Sequence, residues 1–375
     1  MTNPLRDLEA AGQAVWLDYL HQQILKDGTL QRLIDDDGLK GLTSNPSIFE
    51  KAIGDGDAYD ARVRALGAGS AEAVYEKIAI ADIQSAADIF RPTWDRLKGK
   101  DGFVSLEVSP QLAMDTEGTL AEARRLWRAV DRPNLMIKVP GTKPGTPAIQ
   151  QLISEGINVN VTLLFGLHAY QAVAEAYLAG LEALKAKGGD LAGVHGVASF
   201  FVSRIDAKID TAIDVRLKSA AGAEAADLHR LRGQVAIANA KIAYQRFLTM
   251  VGTERWRVLS EAGAAPQRLL WASTSVKDPT YPDTLYADSL IGPDTVDTLP
   301  PKTVDAFRNH GHVSQSLTDD VPGAERILAD AERLGLDLNG VTDTLVVEGV
   351  KLFDEAFDAL LKAVAGKQSQ LAAAE

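Results

Sequence analysis

Short apolar runs recur along the chain, bounded by turn-forming residues and separated by segments whose apolar residues have helical spacing. Runs of this length and composition predict buried β-strands. Eight strands alternating with helices indicate parallel pairing through right-handed crossovers. In a chain of 375 residues they favour an α/β fold, a closed (β/α)8 barrel of the TIM type. The predicted strands are residues 13–19, 39–46, 102–110, 135–139, 157–163, 196–203, 268–274 and 294–300.

An open doubly wound sheet is the alternative architecture, but the chain has no Gly-x-Gly-x-x-Gly turn after its first strand. The segment Gly141-Thr-Lys-Pro-Gly-Thr146 lacks the Gly-Lys-Ser/Thr ending of a phosphate-binding P-loop. No change in composition marks a linker. Residues 1–375 are therefore predicted to form a single barrel domain with additional helices at both termini. Within it, 323–364 would be a C-terminal helical extension and 369–375 a frayed tail.

Composition and charge exclude several classes of protein. A net charge of −12 disfavours nonspecific binding to nucleic acid. Without cysteine the chain has no disulfide, no thiolate nucleophile and no thiolate metal ligand. No apolar run approaches membrane-spanning length, and the first residues lack the apolar core of a signal peptide. These features predict a soluble cytoplasmic protein.

One lysine, Lys138, lies inside the apolar strand at 135–139. A lysine buried in such a strand cannot reach water easily, and burial disfavours the charged form of an amine. A neutral amine in a pocket is what carbinolamine and Schiff-base formation with a ketone require. The alternative is that Lys138 pairs with a carboxylate or extends its amine to solvent at the strand end.

Side chains alternate along a strand, so residues two apart share a face. Because the outer face of a barrel packs on helices, the polar face of each strand should point inward. In the fifth strand that face carries Asn158, Asn160 and Thr162. The same alternation places further residues on the inward face near the strand ends: Asp18, Gly41, Thr43, Asn45, Ser105, Glu107, Met136, Lys138, Ser199, Phe201 and Ser203.

These side chains gather near the carboxyl ends of the strands, where barrel enzymes build their active sites. Each has a structural explanation when taken alone. Asn45 before Pro46 could be turn chemistry, Ser199 or Thr162 a satisfied core hydroxyl, and any one carboxylate a helix cap. A shared cavity for Asp18, Glu107 and Lys138 is harder to explain structurally, so the set favours an active site.

Five motifs resemble those of transaldolases and occur in that family's order: Thr43-Ser-Asn-Pro-Ser47, Ser105-Leu-Glu107, Ile137-Lys-Val-Pro-Gly-Thr142, Gly156-Ile-Asn-Val-Asn-Val-Thr-Leu-Leu-Phe165 and Ser199-Phe-Phe-Val-Ser-Arg204. The chain length resembles that of the longer bacterial-type branch. The resemblance implies a Schiff-base lysine on the fourth strand and no metal or organic cofactor. It also implies a transferase of the pentose phosphate pathway. Such an enzyme moves a dihydroxyacetone unit between sedoheptulose 7-phosphate or fructose 6-phosphate and glyceraldehyde 3-phosphate or erythrose 4-phosphate.

The resemblance also implies roles for individual residues. Lys138 would form the Schiff base, Glu107 would shuttle protons through a water held by Thr162, and Asp18 would take the proton of the donor C4 hydroxyl. Substrate would be bound by Asn45, Asn160, Ser199, Phe201, Arg204 and Lys277.

Two positions depart from the family pattern. Ser203 stands where many transaldolases have glycine, and after the seventh strand the chain offers Lys277 where many have arginine.

Two other functions also fit the sequence. One is a Schiff-base aldolase that hydrolyses the enamine, and the other is a non-catalytic sugar-phosphate-binding barrel. The predicted partners are phosphorylated sugars and, as one option, a second copy in a homodimer, but neither nucleic acid nor a membrane.

Overall fold

The computed structural model describes residues 3–67 and 69–373. In this part of the chain eight parallel strands pair in sequence order, and pairing of the first with the last closes them into a barrel. The predicted (β/α)8 barrel is confirmed, and the open sheet is wrong. The strands are β1 (Gln13–Asp18), β2 (Gly41–Thr43), β3 (Phe103–Glu107), β4 (Leu135–Pro140), β5 (Val159–Leu164), β6 (Gly196–Phe201), β7 (Arg268–Ala272) and β8 (Thr295–Leu299).

Helices surround the barrel and extend it at both ends of the chain. A short 3₁₀ turn at Pro110–Leu112 follows β3. No helix among the described residues is both long and apolar enough to cross a membrane. The helices are α1 (Pro4–Ala10), α2 (Gln22–Lys26), α3 (Thr29–Asp37), α4 (Pro46–Gly54), α5 (Asp60–Leu66), α6 (Ala71–Arg96), α7 (Thr116–Val130), α8 (Gly145–Ile153), α9 (Leu167–Ala186), α10 (Ser203–Leu217), α11 (Gly222–Leu231), α12 (Val235–Val251), α13 (Glu254–Ser260), α14 (Leu285–Ser289), α15 (Pro301–His310), α16 (Val321–Arg333) and α17 (Leu338–Ala372).

The strand β2 is much shorter than the predicted 39–46, because helix α4 begins immediately after it. The Asn45 side chain accepts a hydrogen bond from the backbone N–H of Ile48 at 3.0 Å. Pro46 occupies the first turn of the helix, where its missing N–H costs nothing. Asn45 is therefore a helix cap, and this fixes where β2 ends.

Regular alternation fails at the end of β5. The pairing with β6 shifts register between Val161 and Leu164, and Leu163 has a φ of 61°, in the left-handed region. A bulge of this kind bends a strand and re-aims its side chains. Leu163 consequently packs against helix α17 at Gly349, where an added Cβ would lie 2.8 Å from Leu163 Cδ2.

The C-terminal extension predicted at 323–364 corresponds to α16 and α17. The last helix continues to Ala372, so residues 369–372 are helical where the sequence predicted a frayed tail. A buried ion pair explains the difference: Lys367 Nζ lies 2.8 Å from Asp60 Oδ1 at the start of α5. This contact holds the end of α17 against the body of the protein. Residues 374 and 375 lie outside the described residues.

A buried ion pair also lies at the amino-terminal end of the barrel. The candidate site residues lie at the other end, where the strands have their carboxyl ends. Arg268, the first residue of β7, donates hydrogen bonds of 2.9 and 3.0 Å to the two carboxylate oxygens of Asp101. Trp16 on β1 donates a third bond of 3.0 Å to the same carboxylate. Both charged side chains are less than one-tenth exposed. The pair links the first and seventh strands through the loop that precedes β3.

We expect Arg268→Leu to lower the free energy of unfolding by about 3–5 kcal/mol, because it leaves the Asp101 carboxylate buried without its cation. Urea denaturation followed by circular dichroism measures the loss. Arg91→Leu is the control, since Arg91 pairs with Asp95 on the surface. That change should cost less than about 1 kcal/mol. Equal losses in the two variants would contradict a structural role for the buried pair.

Candidate active site

The carboxyl ends of the strands open into a pocket of about 360 Å³. Every predicted site residue except Glu107 and Asn160 lines this pocket. Its wall also includes residues from the helices α4, α10 and α17 and from the loop after β7. Polar side chains from many strands therefore converge on one cavity, at the end of the barrel where (β/α)8 enzymes carry out their chemistry.

The amine of Lys138 lies at the base of this pocket, and its side chain is only 7% exposed. It lies 3.3 Å from Glu107 Oε2 and donates a hydrogen bond of 3.2 Å to the backbone carbonyl of Ser44. Lys138 and Glu107 are paired neighbours on β4 and β3, so both side chains project from the same level of the barrel. The carboxylate pairing considered from the sequence is therefore present, between a lysine that lines the pocket and a carboxylate that does not.

Glu107 lies behind the lysine and borders a second, smaller cavity lined also by Tyr75, Ser109 and Glu122. Burial raises the pKa of Glu107 above its ordinary value, and the nearby amine of Lys138 opposes this shift. A carboxyl group with a raised pKa exchanges its proton more readily near neutral pH, which suits general acid–base catalysis. Its position beside Lys138 allows it to serve chemistry at that amine.

Asp18 ends β1 and is the second carboxylate near the lysine. Thr43, its neighbour in the β1–β2 register, donates a hydrogen bond of 2.8 Å to Asp18 Oδ1. The Thr43 hydroxyl also contacts the Thr298 hydroxyl of β8 at 2.8 Å. Burial raises the pKa of Asp18, whereas Lys138 and the Thr43 hydrogen bond lower it. The two carboxylates thus flank Lys138 in different surroundings, an arrangement that favours different chemical roles.

Asn160, predicted from the sequence to bind substrate, is fully buried beside Lys138 in the β4–β5 register and is not among the residues that line the pocket. Its side-chain amide donates to Ser105 Oγ at 3.0 Å and accepts from Ser199 Oγ at 2.7 Å. Both ends of the amide are therefore occupied by protein, and Asn160 orients the Ser199 hydroxyl at the pocket wall. Thr162, two residues along β5, does line the pocket.

The opposite wall of the pocket is basic. Arg204 in the first turn of α10 stacks over Phe201, with its guanidinium carbon 5.7 Å from the ring centroid. Lys277 follows β7 and donates a hydrogen bond of 2.8 Å to Ser275 Oγ. Among the described residues neither cation has a carboxylate within 4.0 Å. Burial and the charge of Arg204 lower the pKa of Lys277, while Asp18 raises it. Two cations that repel each other in one pocket favour a bound anion.

The departure from the family pattern at Ser203 is accommodated by a neighbouring hydroxyl. Ser203 begins α10 directly after β6, and its Oγ lies 3.0 Å from the Oγ of Ser273 in the loop after β7. The backbone N–H of Ser203 also donates to the Ser273 carbonyl at 3.1 Å. These bonds join the loops that carry Arg204 and Lys277, so they fix the two cations relative to each other.

Lys51 and Phe353 are among the pocket residues that the sequence reasoning did not identify. Lys51 lies one helical turn after Ser47 on α4, and both line the pocket. Helical spacing from the Thr43-Ser-Asn-Pro-Ser47 motif could have identified it. Phe353 comes from α17, with its ring centroid 5.6 Å from Lys138 Nζ. No local signal marked it, because it lies far along the chain from every motif.

The family model for transaldolase/fructose-6-phosphate aldolase matches residues 15–364. The chain belongs to this family. It is 45% identical to the transaldolase of Trichodesmium erythraeum, over 99% of both chains. It is 48% identical to the transaldolase of Thermobifida fusca over the full length of both, and 45% identical to transaldolase 2 of Nostoc punctiforme over 98% of both. The resemblance inferred from the five motifs is confirmed, and so is the prediction of a transferase enzyme.

Proposed function

We propose that this member of the family is a transaldolase of the pentose phosphate pathway that works through a Schiff base on Lys138. It would transfer a dihydroxyacetone unit between sedoheptulose 7-phosphate or fructose 6-phosphate and glyceraldehyde 3-phosphate or erythrose 4-phosphate. The observation that carries the proposal is the buried amine of Lys138, 3.3 Å from Glu107 and in a pocket with a basic wall. We further propose that the chain acts in the cytoplasm as a single barrel domain.

The first step is attack of the neutral Lys138 amine on the ketose carbonyl, which gives a carbinolamine. Glu107 donates a proton to the departing hydroxyl, water leaves, and an iminium ion remains on Nζ. Thr162 lines the pocket with a buried hydroxyl that has no hydrogen-bond partner among the described residues, so it can hold the water involved. Burial raises the pKa of Glu107, which favours the protonated carboxyl that this step requires.

The second step breaks the donor C3–C4 bond. Asp18 takes the proton of the C4 hydroxyl, the aldehyde fragment leaves, and the bonding electron pair moves into the iminium to give an enamine. An acceptor aldehyde then binds, its carbonyl carbon is attacked by the enamine carbon, and its oxygen takes the proton from Asp18. Hydrolysis of the new iminium releases the product and restores the amine. Asn45, which lines the pocket, would bind hydroxyls of the three-carbon unit.

The phosphate group would lie against the basic wall. Arg204 offers a planar, bidentate donor set, and Lys277 adds a second positive charge beside it. Ser199, held by Asn160, supplies a hydroxyl on the same side of the barrel. Phe201 supports the guanidinium of Arg204 from below. The reacting carbonyl would then lie at Lys138 and the charged end of the sugar at the cations.

A Schiff-base aldolase is the second candidate, since the family model covers both transaldolases and fructose-6-phosphate aldolases. Both would form the same enamine and differ only in its fate. The full-length similarity to proteins named transaldolase favours transfer. An acceptor assay with erythrose 4-phosphate separates the two. A non-catalytic sugar-phosphate-binding barrel would form no imine at all.

The Schiff base is tested by borohydride reduction in the presence of fructose 6-phosphate. The wild-type protein should gain a stable three- or six-carbon adduct on Lys138, detected by peptide mass spectrometry. Lys138→Met, which nearly preserves the side-chain volume, should gain none. Lys143→Met is the matched control, because Lys143 is exposed in the loop after β4, and it should still form the adduct. An adduct on another lysine would refute the assignment.

Single-turnover kinetics distinguish the roles of the two carboxylates, Asp18 and Glu107. Asp18→Asn should still form the imine but should cleave the donor about 10²–10⁴-fold more slowly, because scission requires that base. Glu107→Gln should slow imine formation itself. The opposite result, with imine formation blocked by Asp18→Asn and unaffected by Glu107→Gln, would mean that the roles are reversed.

The phosphate site is tested by comparing two donors. Arg204→Ala should lower kcat/KM by about 10- to 100-fold with fructose 6-phosphate, as expected for loss of a charge-assisted hydrogen bond. It should have a much smaller effect with free dihydroxyacetone. Lys208→Ala, one turn further along α10 and paired with Glu348 at the surface, is the control and should affect neither donor. An equal loss with both donors would show that Arg204 is only structural.

A further inference from the structure

The long C-terminal helix α17 contacts the barrel end that holds the pocket. Gly349 of α17 lies against the Leu163 side chain at the bulge of β5, where an added Cβ would lie 2.8 Å from Leu163 Cδ2. Two turns later, the buried Phe357 packs edge-on against Tyr75 of α6, with ring centroids 5.8 Å apart. These two contacts hold one face of the helix against the body of the protein.

Phe353 lies between these two contacts. Residues four apart share a face of a helix, so Gly349, Phe353 and Phe357 point the same way. The Phe353 side chain therefore reaches the pocket, where its ring lies over the amine of Lys138 with 5.6 Å from Nζ to the centroid. The contacts on either side of the ring hold it in place. The ring is the part of α17 that lines the pocket, and it faces the reacting nitrogen of Lys138.

An enamine on Lys138 has two competing fates. In release, its carbon takes a proton and the resulting iminium adds water, after which the C–N bond breaks to give free dihydroxyacetone and the amine. In transfer, the same carbon attacks an aldehyde and forms a C–C bond before the iminium is hydrolysed. Exclusion of water from a reactive intermediate suppresses the first route. A phenyl ring covers the nitrogen with apolar surface. It also offers water no conventional hydrogen-bond partner.

We propose that Phe353 is a specificity-determining residue that covers the enamine on Lys138 and so favours transfer over release. The proposal rests on the Schiff-base function proposed above. It makes the C-terminal helix part of the active site: α17 supplies a fixed wall that the barrel strands do not provide.

The test measures two rates on one preparation: release of dihydroxyacetone from fructose 6-phosphate alone, and transfer to erythrose 4-phosphate. Phe353→Ala should raise the ratio of release to transfer by about five- to tenfold, because it uncovers the enamine. Phe353→Leu, which keeps an apolar side chain of similar length, should stay within about twofold of the wild type. Leu352→Ala is the matched control on α17, since Leu352 is 48% exposed, and it should leave the ratio unchanged.

An unchanged ratio in Phe353→Ala, with both rates lowered together, would overturn the proposal and leave the ring a packing residue. A rise in Phe353→Leu as large as in Phe353→Ala would also overturn it, since apolar cover would then not be the cause. If Phe353→Ala fails to give a cooperative melting transition, Phe353→Thr replaces it and carries the same expected rise. Borohydride trapping on the wild type is run in parallel. Failure to label Lys138 there would refute the proposed function instead, so the two failures are distinguishable.

Discussion

The contact between Lys138 and Glu107 brings together an amine and a carboxyl group whose side chains are both less than one-tenth exposed. It exists only because β3 and β4 pair in one register, which sets the two residues side by side and on the same face. A shift of one residue would turn one of these side chains to the outside of the barrel. The closed strand order prevents such a shift, because each strand is held on both sides by its neighbours. The pocket therefore depends on the closure of the whole barrel.

The other polar groups of the site lie around this contact and are not part of it. Asp18 receives a hydroxyl hydrogen bond from Thr43, and Asn160 is bonded on both sides and holds Ser199. The cations that would bind an anion stand on the far wall, joined through the serine pair at Ser203 and Ser273. Glu107 and Asp18 act electrostatically on the amine, while Arg204 and Lys277 line the pocket from the segments after β6 and β7 and would anchor the anion there. The overall charge of −12 does not oppose anion binding here, because the local field is set by the groups that line the pocket.

Most of the barrel could be predicted because each strand is buried on both faces, and such strands appear as nearly continuous apolar runs. Alternation along these runs also found Asp18, Glu107 and Lys138. It could not show how deeply each side chain is buried, and the predicted substrate ligand Asn160 is fully buried with both ends of its amide bonded to protein. The helical end of α17 was missed because it depends on Lys367 meeting Asp60, a contact between residues far apart in sequence. Phe353 was missed for the same reason, since its neighbours in space belong to other elements.

The absence of a side chain at Gly349 has a consequence for the shape of the pocket. An added methyl group would meet the end of the Leu163 side chain at 2.8 Å, so either that side chain or the helix would have to shift. If the helix moved away from the strand end, its next turn would move with it. Position 349 thus sets the spacing between α17 and the end of β5, although the residue there does not line the pocket.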